Sequence, residues 1–138
     1  MMLLDDFPSM LGGTHANLAY IAAPYSHPDP DVIEDRMEQF ADIMSRLMAL
    51  EIHAVSPLMN HPYLGRRRTP GTYDYWGPYS INLLRRCDAV IVIMMDGWLE
   101  SVGVADEIKH AKEFNKPVFV CKPNGTSFQE YDEFIANR

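Results

Sequence analysis

Residues 87–121, CDAVIVIMMDGWLESVGVADEIKHAKEFNKPVFVC, read as strand, loop, helix and strand in immediate succession. The run from Ala89 to Met95 is uniformly apolar, with no alternation that would give it a solvent face. Such runs mark strands covered on both sides, as in parallel sheets whose crossovers are helices. Asp96, Gly97 and Trp98 end the run, and Ser101 is suited to cap a helix that lasts until about Asn115. Val118 to Cys121 is the next buried strand. In parallel α/β sheets ligands bind at the carboxyl ends of the strands, beside helix N-termini, so the chemistry is expected where the first strand hands over to the helix.

The helix singles out one acid. Val104, Ile108, Ala111 and Phe114 recur at spacings of three and four and should face the sheet, while Asp106, Lys109, Lys112 and Glu113 fall mostly on the other side. Glu107 belongs to neither group. It aligns with Gly103, Ala111 and Phe114 on the margin of the buried face, and two of those neighbours are small enough to let something approach. An acid there costs desolvation energy unless it is paired or used, and the nearby helix N-terminus favours its ionised form. Spacing alone leaves two readings open: a carboxylate facing a ligand pocket, or a boundary Glu that reaches water.

Outward from this unit the alternation of strands and helices continues. Leu18 to Ala23 forms a first buried strand, followed by the turn PYSHPDPD with Asp29 as helix cap and Pro30 in the first turn. Ser26 and the N–H groups around it suit either a phosphate grip or simple satisfaction of the turn, with His27 beside them. A helix from about Asp31 to Leu50 carries the stripe Ile33, Met37, Phe40, Met44 and Leu47, and Ile52 to Val55 is a short second strand. Pro57 to Tyr75 has no convincing period and holds His61, Tyr63, three consecutive arginines from Arg66 to Arg68, and Tyr73. Such a stretch suits a lid or pocket wall, a subunit interface, or a flexible loop. A short helix is expected over Trp76–Arg86, and a final helix after Gly125, opened by a capping box of Thr126 with Gln129 or Ser127 with Glu130. The fold class that follows is α/β: a three-layer, doubly wound parallel sheet of about four to five strands, in one domain over residues 17–138, with residues 1–16 as a tail or loop.

A chain of 138 residues, 47% of them hydrophobic, can bury a substantial core. A net charge of −7 and a pI near 5.1 argue against nucleic acid or an anionic membrane as partner, both of which require clustered positive charge. No apolar run approaches the roughly 20 residues of a membrane helix, and the opening MMLLDD is not a signal peptide. Cys87 and Cys121 border buried strands and read as reduced core thiols of a cytoplasmic protein. The histidines have no ligand-like spacing, so no metal site is expected, and the absence of GxGxxG and Walker A patterns leaves no dinucleotide or triphosphate cofactor supported.

The block ESVGVADEIKHA, with AYIAAPYS near the N-terminus and CDAVIVIM before it, resembles the nucleoside 2-deoxyribosyltransferase superfamily, and within it the 2'-deoxynucleoside 5'-phosphate N-hydrolases. The match runs from about Tyr20 to Cys121 and is weak between Pro57 and Ile81. The resemblance implies that Glu107 is the nucleophile at the anomeric carbon and that Tyr20 orients it. It also implies that Ser101, where the transferases carry Asp, favours a nucleotide monophosphate over a free nucleoside. The chain departs from the family at Ala23-Pro24, where a Gly is usual, and at Ser80, with Asn82 nearby, where an Asp is usual.

The expected activity is therefore hydrolysis of the N-glycosidic bond of a (2'-deoxy)nucleoside 5'-monophosphate through a covalent glycosyl-Glu intermediate, without cofactor. Glu107 and Tyr20 form the catalytic pair, and Ser101, Gly103, Ser26, Tyr25, Ala23, His61, Asn82 and Trp98 make up the substrate-binding set. The alternatives are deoxyribosyl transfer between bases, a non-catalytic nucleotide sensor, and a receiver-like phosphoacceptor using Asp88 or Asp96, which lacks the usual acidic cluster. The resemblance also implies a homodimer or higher homo-oligomer.

Overall fold

Apolar runs without a solvent-facing alternation need cover on both faces, and the fold supplies it. The computed structural model describes residues 2–3, 17–60, 73–125 and 127–138. In chain order its elements are β1 (Met2–Leu3), β2 (Ala19–Ala22), α1 (Pro30–Ala49), β3 (Ala54–Val55), a 3-10 turn (Pro57–Asn60), α2 (Tyr73–Arg85) and β4 (Ala89–Ile93). There follow α3 (Val102–Glu113), β5 (Val118–Cys121), β6 (Ser127–Glu130) and α4 (Tyr131–Ala136). Every residue of β2, β4 and β5 is buried.

The hydrogen-bonded order of the sheet is β1-β6-β5-β4-β2-β3. Its parallel part, β3-β2-β4-β5, pairs Tyr20 with Val55 on one side and Val90 on the other. The crossover from β2 leads outward to β3, and that from β4 leads the opposite way to β5. The carboxyl ends of β2 and β4 therefore form the topological switch point at which such sheets open a crevice. The expected doubly wound, three-layer architecture is present.

Strand parity sorts the core into two layers. Ala19, Ile21, Ile91, Ile93, Phe119 and Cys121 pack against Phe40, Ile43, Met44 and Leu47 of α1. Tyr20, Ala22, Val90, Val92, Val118 and Val120 face the other way, against Leu84 of α2 and Val104, Ile108 and Ala111 of α3, with Tyr131 and Phe134 of α4 alongside. Helix α1 begins where the sequence indicates: Asp29 Oδ1 accepts the Asp31 N–H, and Pro30 opens the first turn. Helix α3 begins at Ser101, whose Oγ accepts the Val104 N–H, and the chain leaves it through Asn115 at φ 58°, a left-handed exit that Asn tolerates.

Three expectations are corrected. Ser127–Glu130 is a strand, not the capping box of a final helix, which starts only at Tyr131. Phe128 accounts for this: as the buried member of an alternating segment it packs edge-on against Phe119 at 5.2 Å, and the segment closes the open edge of β5. Thr126 lies outside the described residues. Met2 and Leu3, expected in a tail, pair with Phe128 and Ser127 as an antiparallel edge strand; residues 4–16 lie outside the described residues. Helix α2 begins at Tyr73 rather than Trp76, so its first turn takes in part of the stretch expected to be aperiodic; Leu84 is its fully buried anchor.

Candidate functional site

Tyr20 occupies an inward position on β2, where a purely apolar side chain would serve packing equally well. A phenol there brings an O–H into the interior, and that proton needs an acceptor. The acceptor is Glu107 Oε2 on the second turn of α3. Glu107 is partly buried, and among the described residues no Lys or Arg forms an ion pair with it. Burial pushes its carboxyl up from an ordinary value of 4.5 to about 7; the Tyr20 hydrogen bond pulls it back down in part, and the neighbouring Asp106 charge adds to the rise. Burial, followed by the charge of Glu107 and the hydrogen bond to it, raises Tyr20 far above the phenol range, against a smaller opposing effect of Ser80. Tyr20 is therefore the donor of the pair and Glu107 Oε2 its acceptor.

The pair opens into a cleft of about 720 Å³ at the carboxyl ends of β2 and β4. Tyr25, Ser26 and His27 from the loop after β2 line it, with Ser56 and Leu58 after β3, Trp76, Ser80 and Ile81 from α2, and Ser101, Gly103 and Asp106 at the start of α3. Ser101 spends its oxygen on the Val104 N–H, which leaves its own O–H to donate. A Cβ at Gly103 would meet only Ser101 Oγ, at 3.9 Å, so the protein itself does not require glycine there and the space belongs to the cleft.

Of the residues expected at the site, Glu107, Tyr20, Ser101, Gly103, Ser26, Tyr25 and Ala23 line this cleft together. His61, with the arginine-rich stretch, lies outside the described residues. Asn82 is not in the cleft: it lies on the exposed face of α2, where its carbonyl and Oδ1 accept from Arg86. Trp98 is not there either. The turn at Gly97 sends its indole into the α4 layer, against Phe134 at 5.7 Å and Tyr131 at 6.4 Å, because that apolar contact buries more of the ring than the cleft edge would.

Sequence reasoning missed Arg36 and Trp76, and reached Ser80 only through the family resemblance, as the position where an Asp is usual. Arg36 was legible: it stands four residues before Phe40 and in helical register with Ile43 and Leu47, so a charge lies on the buried stripe of α1. Ser80 likewise stands four residues before the buried Leu84, with Trp76 one turn earlier. Among the described residues no cluster of His, Cys, Asp and Glu suits a metal ion, and no helix is long and apolar enough to cross a membrane.

A doubly wound α/β protein with a tyrosine-tethered, partly buried carboxylate in its switch-point cleft is the class that the fold and site define. The chain belongs to the family described as domain of unknown function (DUF1937), whose model matches residues 17–123 and so spans every residue placed in the cleft. No curated protein matches the chain.

Proposed function

We propose that the protein cleaves the N-glycosidic bond of a nucleoside 5'-monophosphate, with a 2'-deoxy sugar, using Glu107 as nucleophile. The observation that carries this reading is the Tyr20–Glu107 pair in the cleft: a carboxylate with no cationic partner among the described residues, held through one oxygen by Tyr20 and lining the cleft. Departure of a base leaves positive charge on the sugar, and a fixed anion beside the anomeric carbon stabilises it, as in retaining glycoside hydrolysis. Glu107 Oε1 forms the bond to the anomeric carbon as the carbon–nitrogen bond breaks, and the electron pair leaves with the base, which takes a proton from water. Water then attacks the same carbon, releasing the Glu107 carboxylate and the sugar phosphate. Tyr20, donating to Oε2, keeps the attacking oxygen aimed and the carboxylate ionised more readily than burial alone would allow.

The homodimer or higher homo-oligomer implied by the family resemblance, and a cytoplasmic site of action, are parts of the same proposal. The test is incubation of the protein with the ribo- and deoxynucleoside monophosphates, with free base followed by chromatography. Glu107→Ala is expected to lower base release by at least about a thousandfold while nucleotide binding persists. Equal rates for the variant and the parent would remove Glu107 from the reaction. Exchange of label into an added second base would turn the reading from hydrolysis to transfer.

A further inference from the structure

The hydrogen bonding of Tyr20 does not end at Glu107. The phenol has one proton, and Glu107 Oε2 accepts it. Its oxygen keeps acceptor capacity of its own, and Tyr20 is fully buried, so bulk water is not in place to satisfy it. The donor comes from α2, where the Ser80 side chain hydrogen-bonds Tyr20. With the phenol's proton committed to Glu107, the proton of this second bond must be that of the Ser80 hydroxyl. The bonds therefore run in one direction, from Ser80 to Tyr20 to Glu107, and tie α2, β2 and α3 together.

The helix places this hydroxyl by its period. Ser80 stands four residues before Leu84, which is fully buried in the layer that holds Tyr20, so α2 presents both to the same side. Helix formation would favour Ala over Ser at such a mid-helix position. Ser80, Tyr20 and Glu107 all line the cleft. A phenol that accepts a hydrogen bond donates its own proton more strongly, because successive bonds polarise one another. The Ser80 proton also occupies one side of the phenol oxygen, which leaves the Tyr20 proton turned to Glu107.

We propose that Ser80 is a positioning residue: through Tyr20 its hydroxyl fixes the Glu107 carboxylate in a single orientation for attack. The inference rests on the N-glycosidase reading for what the carboxylate does, though not for how it is held. The relay acts on Glu107 at one remove, so its signature is an effect of Ser80 that disappears when Tyr20 loses its hydroxyl.

The test follows the carboxyl carbon of Glu107 by NMR from pH 5 to 9 in the parent, Ser80→Ala, Ser80→Thr, Tyr20→Phe and the Ser80→Ala/Tyr20→Phe double variant. The charged and titratable groups facing the pair are Asp106 and Glu100 at and before α3, Arg36 from α1, Tyr25 and His27 after β2, and Cys87 beside Tyr20. All are unchanged in every variant, so differences between variants report the relay. Ser80→Ala is expected to raise the Glu107 midpoint by roughly 0.3–0.5 pH unit, the share of a charge-assisted bond that a cooperative neighbour supplies. Ser80→Thr, which keeps the hydroxyl, should restore the parent's midpoint, and Ser80→Ala should add nothing once Tyr20 is Phe. An unmoved midpoint in Ser80→Ala, or an equal shift in both Tyr20 backgrounds, would overturn the proposal. Base release is assayed on the same proteins: kcat should fall roughly threefold to tenfold with Ser80→Ala, and a loss confined to KM would make Ser80 a substrate contact and overturn the proposal. No base release by the parent, with the NMR pattern as expected, would sink the N-glycosidase reading and leave the relay standing.

Discussion

Glu107 should weaken the fold at the pH where it is ionised, and Glu107→Gln should therefore stabilise the protein in alkaline solution. Below its ordinary value of 4.5 the carboxyl is protonated in both folded and unfolded chains and contributes no difference. Between 4.5 and about 7 the unfolded chain has released the proton that the folded chain still holds, so each rise in pH favours unfolding. Above about 7 both are ionised and the loss is complete. At about 1.4 kcal/mol per pH unit the full interval is worth roughly 3 kcal/mol, and water entering from the cleft reduces this to something on the order of 2. Gln has nearly the same shape, keeps an oxygen to accept the Tyr20 proton, and carries no charge at any pH.

The expected result is a melting temperature for Glu107→Gln that exceeds the parent's by roughly 5 °C at pH 8.5, since about 1 kcal/mol moves a domain of this size by a few degrees. At pH 5 the two proteins should melt together. The measurement is a series of thermal melts of both proteins in the same buffers from pH 5 to 8.5, in which the contributions of all other groups cancel in the difference. A variant that is no more stable at pH 8.5, or one whose advantage is the same at pH 5, would show that the carboxylate is not desolvated, and the premise that it is held for chemistry would fall with it.

Two further outcomes follow from the same geometry. Tyr20→Phe keeps the packing but removes the donor that lowers the Glu107 pKa, so the acid limb of the pH–rate profile should move upward from about 7; kcat should fall roughly tenfold to hundredfold, and an unmoved limb would separate Tyr20 from the carboxylate's function. Gly97→Ala strains a residue at φ 88° and collides with Arg36 Nη2, with an expected cost of roughly 1–3 kcal/mol in urea unfolding. Adding Arg36→Ala should recover the steric part of that cost in a double-mutant cycle, and strict additivity would show that the two groups do not meet.

The sheet was legible because β2, β4 and β5 are so apolar that only two-sided cover suits them, and because Asp29, Pro30 and Ser101 mark helix starts by local chemistry. The element at Ser127–Glu130 was not, because a capping-box pattern and an alternating strand share the residues Ser127, Phe128 and Glu130. What decides between them is Phe119, a neighbour in space on β5 that no local pattern reveals. Trp98 misled for a similar reason. Its position next to a turn at a strand end fits a pocket wall, and only the placement of α4 shows the indole to be core.

For the site, the deciding signal was a polar group where the period calls for an apolar one. Tyr20 faces the same layer as Ala22, Glu107 shares a helical margin with Gly103 and Ala111, and Arg36 is in step with Phe40, Ile43 and Leu47. Drawing the α1 stripe through Met37 and Met44 instead of through Arg36 and Ile43 hid the third of these. Packing alone does not call for them, since apolar side chains of similar volume at inward positions commonly serve stability as well or better. Scattered separately, three such residues would each need a local explanation. On β2, α1 and α3, distant in sequence, they meet in one cleft at the switch point of the sheet, and the only property they share there is access to whatever enters it.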